Sequence, residues 1–298
     1  NVIQTAYHIL VASSPELLEQ GKGDIWDSGK IESDASQWIT YQGKTLKCNA
    51  SYYWKVKIDT NKGATNWSAP AFWTTGLFNE ADWQGQWIGL DRAAPGDSET
   101  QWSRLAARYL RKEFAVKKDV KRATVHIAGM GLYELFINGQ RIGNQVLAPA
   151  PTDYRKTILY NTYDVTSLLQ TENAIGVTLG NGRFYTMRQN YKPYKIPTFG
   201  YPKLRLNLIV EYADGSKETI ATNTSWKLTT EGPIRSNNEY DGEEYDARKE
   251  LGAWTQTGYD DKNWMPAQRV SIPSGTLRAQ MMPGMKVTET LKPVSIKK

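Results

Sequence analysis

Tyr52-Tyr53-Trp54-Lys55-Val56-Lys57-Ile58-Asp59 is the stretch on which the fold class turns. Tyr52, Trp54, Val56 and Ile58 alternate with Tyr53, Lys55, Lys57 and Asp59. A β-strand sends successive side chains to opposite faces, so the first set is predicted to face a core and the second to face away. Comparable short runs, bounded by Gly, Pro, Asn and Asp, recur at 5–13, 71–75, 123–129, 132–137, 173–179 and 204–212. Asn138-Gly139 is a strong hairpin signal, because both central residues of a type I′ turn need positive φ. A second hairpin is expected around Asp214-Gly215, pairing 204–212 with 216–221. Helical periodicity is scarce, and 164–169 reads as one short turn capped by Asp164. The expectation is an all-β chain.

Composition narrows the field. A length of 298 residues suggests two domains, and 40% hydrophobic with 23% charged residues is a globular balance. No apolar run is long enough for a membrane-spanning helix, and no charged-then-apolar leader opens the chain. One cysteine, Cys48, excludes an intrachain disulfide and a multi-cysteine zinc site; it reads as a small buried filler. The two histidines, His8 and His126, both fall in strand-like runs and read as packed or hydrogen-bonded strand residues. Against 6 Phe stand 11 Trp and 17 Tyr. Such rings pack strands, and their amphipathic faces also suit stacking on sugars.

The net charge of +6 is localised. Segments 1–78 and 123–277 are each neutral, whereas 104–122 carries +6, the tail 278–298 carries +4 and 79–103 carries −4. The run 108–116 mixes Tyr109, Leu110, Phe114 and Val116 with Arg111, Lys112 and Glu113, and is expected at a charge-protected sheet edge. A nucleic-acid groove needs a continuous basic stripe with interleaved aromatics, and none is present.

Residues 1–78 resemble a fibronectin type III β-sandwich: Leu46, then Tyr52, Trp54, Val56 and Ile58, then Trp67-Ser68-Ala69-Pro70 with Phe72 and Thr74. That resemblance implies a tyrosine-corner hydrogen bond from Tyr52 back to the chain. Residues 79–103 read as a linker, with Trp83 and Trp87 packing a domain junction and 92–99 forming a mobile surface loop. Residues 104–272 are expected to form a larger sandwich or jelly roll, within which 232–250 reads as polar and mostly irregular. The basic, Pro- and Met-containing 273–298 reads as a tail leading into further sequence.

An ordered set of motifs identifies a family. Tyr7-His8-Ile9-Leu10-Val11-Ala12, Trp26-Asp27-Ser28-Gly29, Leu132-Tyr133-Glu134-Leu135-Phe136-Ile137-Asn138-Gly139, Thr152-Asp153-Tyr154, Leu179-Gly180-Asn181-Gly182 and Gly242-Glu243-Glu244-Tyr245-Asp246-Ala247-Arg248 together resemble the N-terminal, non-catalytic part of bacterial α-L-rhamnosidases. The resemblance implies a fibronectin-like module and a jelly roll ahead of a catalytic (α/α)₆ barrel with acidic residues as acid and base. This chain has no succession of amphipathic helices from which such a barrel is built. The implied partners are rhamnose-containing glycans and a downstream catalytic domain of the same polypeptide. The implied location is periplasmic or extracellular, where such glycans are met.

The resemblance also implies that the jelly roll binds L-rhamnose, in some relatives through calcium; no other cofactor is called for. Sugar hydroxyls need convergent polar groups and a ring. Asp153, Tyr154, Asn181, Arg183, Tyr185, Glu243 and Glu244 supply those types in loops after strands. Calcium wants six to eight oxygens, for which Asp153, Asn181 and Glu243, with Glu244 beside it, are the candidate donors, although no EF-hand spacing occurs. The tyrosine-rich 190–197 adds a second possible stacking surface. Two rival readings stand beside this one. One is a structural spacer without a ligand site. The other is a self-contained glycosidase, whose two opposed carboxyl groups would come from Glu239, Asp241, Glu243, Glu244, Asp246 and Glu250.

Overall fold

The computed structural model describes residues 1–92, 105–186 and 199–295, and the chain divides into two units, Asn1–Phe78 and Asn79–Lys298. The expected loop at 92–99 lies almost wholly outside the described residues, as do Trp102 and 190–197.

The first unit contains β1 (Gln4–Ala12), α1 (Pro15–Glu19), β2 (Trp26–Glu32), β3 (Ser51–Thr60), β4 (Gly63–Ala64) and β5 (Ala71–Thr74). Its strands form one antiparallel sheet in the order β2-β1-β3, with β5 and β4 pairing the two ends of the other edge of β3. Ser14 caps α1, its hydroxyl accepting the Leu17 N–H, and Pro15 opens the helix where a missing N–H costs nothing. Leu18 of α1 is buried with Leu10 and Ala12, and Tyr53 and Trp67 pack on them. The clean in-and-out split expected of β3 is therefore not observed. Lys55, expected to face away, is buried: its ammonium lies 5.1 Å from the Trp67 ring centre and donates to the Leu18 carbonyl. A lysine can do this because its stem is apolar and the last turn of a helix offers free carbonyls. On the opposite face Tyr52 is buried, and its hydroxyl accepts the Lys47 N–H at 2.7 Å, the expected tyrosine-corner bond. Cys48 is only half-buried.

The second unit contains β6 (Ile88–Gly89), β7 (Arg108–Ala115), β8 (Val120–Met130), β9 (Leu132–Ile137), β10 (Gln140–Arg141), β11 (Thr157–Asp164), β12 (Glu172–Gly180), β13 (Lys203–Tyr212), β14 (Lys217–Ala221), β15 (Lys227–Thr229), β16 (Ile234–Asn238), β17 (Gly242–Tyr245), β18 (Met265–Pro266), β19 (Gln268–Arg269) and β20 (Thr276–Ala279). One sheet runs β10-β9-β12-β7-β15-β18 and the other β19-β6-β13-β8-β11-β20, with β14 on β13. Their inner faces share one core. Leu204, Leu206, Leu208, Val210 and Tyr212 of β13, with Val125 and Ile127 of β8, meet Leu135, Ile137, Ile175, Val177, Leu179 and Leu110 of the other sheet. The period of two along β13 is the physical signature of this burial. Asn138 (φ 51°) and Gly139 (φ 83°) form the expected hairpin turn, and the hairpin at Asp214-Gly215 forms as well.

Strand β7, expected at an edge, is central, between β12 and β15. Its charges mislead because the segment 254–264 covers the outer face. Arg111, 1% exposed, donates to the Trp254 and Gln256 carbonyls and pairs with Glu113 and Asp261, while its guanidinium lies 5.3 Å from the Tyr259 ring. The other sheet is covered in the same way by 80–87. Arg205 of β13 donates to the Gly85 carbonyl, pairs with Glu80 and lies 5.3 Å from the Trp83 ring. A Cβ on Gly85 would sit 2.5 Å from the Leu206 carbonyl oxygen, so only glycine lets this strap lie on the strand. Trp83 and Trp87 are thus buried in the second unit. The segment 232–250, expected as irregular, contains the β16–β17 hairpin.

Candidate functional site

Asn181, Arg183 and Tyr185 of the predicted set follow the end of β12. Asn181 follows Gly180 directly and is 1% exposed. Its backbone N–H donates to Asn237 Oδ1 (2.6 Å), and its Nδ2 donates to the carbonyls of Leu105 (2.7 Å) and Asn237 (2.9 Å). It therefore clamps the β16–β17 hairpin to the sandwich. A Cβ on Gly180 would lie 2.8 Å from Asn237 Oδ1 and would push that side chain aside. Beyond the turn, Arg183 Nη1 donates to Glu239 Oε2 (2.9 Å) and Tyr240 Oη (2.6 Å). Both charged partners are more than two-fifths exposed, so the pair contributes at most about 1 kcal/mol.

The aromatic candidates are covered. Tyr154 is buried with its ring 5.2 Å, edge to face, from both Phe184 and Phe199, which stack on each other. Burial pushes its phenol up to about 12. Tyr185 is buried beside Leu105 and stacks on Tyr201 at 5.7 Å. Neither phenol presents a free ring face to solvent.

The acidic candidates are spread out. Asp153 closes its own turn. Its carbonyl accepts the N–H groups of Lys156 and Thr157, its carboxylate accepts from Arg155 N and Nε (both 3.2 Å), and Arg155 holds it below the ordinary carboxylate value. Glu243 and Glu244 lie on β17, across from Asn237 and Ser236. Adjacent strand residues point to opposite faces, so these two carboxylates do not face one another. Glu239 is held by Arg183, Asp241 accepts from Asn238 Nδ2 (3.0 Å), and Arg248 draws Asp246 down to about 2. The described residues contain no group of three His, Cys, Asp or Glu side chains placed to hold a metal. Asp153 is engaged by Arg155, and Asn181 by Leu105 and Asn237.

Asn181, Arg183, Tyr154 and Tyr185 lie around one turn, and sequence reasoning missed Asn237 and the hairpin that carries it. A signal was present: Asp241-Gly242 is a hairpin dipeptide, Gly242 has φ 77°, and Asn238 Oδ1 accepts the N–H groups of Tyr240 and Asp241.

Comparison with known proteins bears on both units. The profile of the alpha-L-rhamnosidase N-terminal domain matches residues 118–289, and that of the "Rha78A-like, N-terminal immunoglobulin domain" matches 1–79. An alpha-L-rhamnosidase of Formosa agariphila is 38% identical over 313 aligned residues, covering 98% of this chain and 33% of the relative. The structure of alpha-L-rhamnosidase from Dictyoglumus thermophilum superposes with a TM-score of 0.87 at 40% identity, covering 99% of this chain and 33% of that one. That of Streptomyces avermitilis alpha-L-rhamnosidase complexed with L-rhamnose gives a TM-score of 0.81 at 25% identity, covering 92% and 42%. The chain spans about a third of the length of the curated relatives it matches most extensively.

Proposed function

The chain belongs to the alpha-L-rhamnosidase N-terminal domain family, and from that premise we propose that it is the β-sheet front end of a glycoside hydrolase that removes terminal α-L-rhamnosyl residues from glycans outside the cytoplasm. In this reading the bond-breaking carboxyl groups belong to a catalytic domain downstream in the same polypeptide, and the front end supports and orients that domain. The observation that carries it is the match of both units, in order, to about a third of proteins named for this activity. The pairing of acidic residues along 239–248 with Arg183, Asn238 and Arg248 is consistent with a region that does no hydrolysis itself.

The far end of the chain supports a docking role. β20 pairs β11 in parallel, the Val146 N–H donates to the Met285 carbonyl, and Gln145 bridges Lys286. Along this pinned segment and just beyond it, Met281, Met282, Met285, Val287, Leu291 and Val294 are exposed. Exposed apolar side chains on a segment pinned through Lys286 suit a surface that carries further chain.

The loop cluster at Asn181 acts in this reading as a clamp rather than a sugar site, because its rings are covered and Asn181 and Arg183 are bonded to the hairpin residues Asn237, Glu239 and Tyr240. The chain alone is expected to release nothing from an aryl α-L-rhamnoside. Turnover that disappears in Glu243→Gln or Glu244→Gln would overturn the proposal in favour of a self-contained glycosidase. Calorimetric titration with L-rhamnose, with and without calcium, tests the clamp. Binding heat abolished by Asp153→Ala or Asn181→Ala would restore the cluster as a ligand site.

A further inference from the structure

Trp38 combines two properties that tryptophan avoids. It is 91% exposed, and its backbone sits at φ 61°, in the left-handed region where bulky side chains are outliers. The loop around it is anchored on both sides. Gln4 Nε2 donates to the carbonyls of Ser33 (3.2 Å) and Ala35 (2.8 Å). On the far side the Tyr41 ring meets Trp26 edge to face at 5.3 Å, and its hydroxyl donates to the Lys44 carbonyl. The Lys44 N–H donates to the Ile25 carbonyl, and Gly43 packs where a Cβ would lie 2.5 Å from the Trp26 Cβ. Only 36–40 project between these anchors. A strained backbone held by its surroundings is a device for presenting a side chain, because a free loop would relax.

The neighbours indicate what is presented with the ring. Asp34, Gln37 and Thr40 are exposed and, like Trp38, have no side-chain hydrogen-bond or ion-pair partner among the described residues. A protein-docking face would show several apolar side chains together. Here a single large aromatic stands among free hydroxyl, amide and carboxylate groups. That mixture is complementary to a pyranose, which offers an apolar ring face and a rim of hydroxyls.

We propose that Trp38, with Gln37, Thr40 and Asp34 beside it, is a saccharide-stacking platform on the first unit, binding a pyranosyl residue of a rhamnose-containing polysaccharide. The sugar class rests on the rhamnosidase reading above; the platform itself rests on the loop. It would hold the protein on polymeric substrate, at a place separate from the Asn181 cluster in the sequence and in the fold.

Affinity electrophoresis of the 298-residue chain in native gels tests this, with gels containing soluble rhamnogalacturonan, a rhamnose-free mannan, or no polysaccharide. Retardation in rhamnogalacturonan is expected, with the dissociation constant raised at least about tenfold in Trp38→Ala and Trp38→Gly, equivalent to about 1.4 kcal/mol. Trp38→Gly also relieves the positive φ, so its thermal midpoint is not expected to fall, and lost binding cannot be laid to unfolding. Trp38→Tyr should retain part of the retardation, and Phe72→Ala, which removes another exposed aromatic, should retain all of it. Retardation unchanged in Trp38→Gly, or absent with both polysaccharides, would sink the platform. So would Trp38-dependent self-association in sedimentation velocity without retardation. Trp38-dependent retardation by mannan alone would keep the platform and count against the rhamnosidase reading instead.

Discussion

Both units bury a cation on a strand, but they neutralise it differently. In the first, Lys55 rests against Trp67 and donates a hydrogen bond to one helix-end carbonyl, with no carboxylate partner among the described residues. In the second, Arg111 and Arg205 each combine an aromatic face and strap carbonyls with carboxylates, Asp261 and Glu113 in one case and Glu80 in the other. The common element is that segments outside the sheet bring a ring and backbone carbonyls to a buried cation on a strand. The difference follows from geometry. A guanidinium presents five donors and must satisfy most of them when buried, whereas a lysine can turn its ammonium to the nearest acceptor.

The largest expected effect separates the two arrangements. Arg111→Ala should cost about 3 kcal/mol, because it leaves Asp261 and two strap carbonyls without their donor. Lys55→Met keeps the stem packed on Trp67 and removes the charge, so its cost should stay within about 1 kcal/mol. Chemical denaturation followed by near-ultraviolet circular dichroism measures both. If the lysine variant lost as much as the arginine variant, the contrast between the units would be wrong.

The chain's two histidines extend the comparison to pH. His126 of the second unit is fully buried among Trp83, Tyr160 and Thr162, and burial pulls it from 6.5 to about 4. The unfolded chain therefore takes up this proton first as pH falls. Stability is full above about pH 6.5 and is lost progressively toward pH 4, by roughly 3 kcal/mol in all. His8 of the first unit is half-exposed beside Asp27 at 2.6 Å. Asp27 is held below its ordinary value, first by the Gly29 N–H and then by His8. Its stabilisation is present above its unfolded value and is lost only as pH falls through the carboxylate range, and exposure keeps it small. Thermal unfolding between pH 7 and 4.5 should thus weaken the second unit selectively. His126→Gln should flatten that dependence; an unchanged slope in the variant would assign the proton uptake elsewhere.

How far the sequence could be read depended on whether a segment's burial was local. The period of two in 204–212, the positive-φ pair Asn138-Gly139 and the Tyr52 corner are local properties, and all three are found in place. The central position of β7 was illegible because the cover for Arg111 comes from residues about 145 positions away. Lys55 misled for the same reason on a smaller scale, since α1 and Trp67 lie outside its strand. At the candidate site, residue types did not reveal their partners. Asn181 and Tyr154 suit a sugar by chemistry, yet pairing with Asn237 and packing on Phe184 turn them inward. Trp38 carried no pattern at all; its exposure and its φ are visible only in three dimensions.

The smallest expected effect tests whether the units unfold separately, which the contrast between them assumes. Tyr52→Phe removes one hydroxyl, and with it the acceptor for the Lys47 N–H at 2.7 Å. The ring stays, so its packing near Trp73 is kept. The cost is then that of one hydrogen bond in a partly buried setting, about 1 kcal/mol. In a domain the size of the first unit this lowers the melting point by about 4–8 °C. Two calorimetric transitions are expected, with only the first unit's displaced, and the Lys47 amide should exchange faster with solvent. If both transitions moved together, the two sheets' covers would be parts of one cooperative structure. If neither moved while exchange accelerated, the corner would order the 44–50 loop without adding to the stability of the sheet.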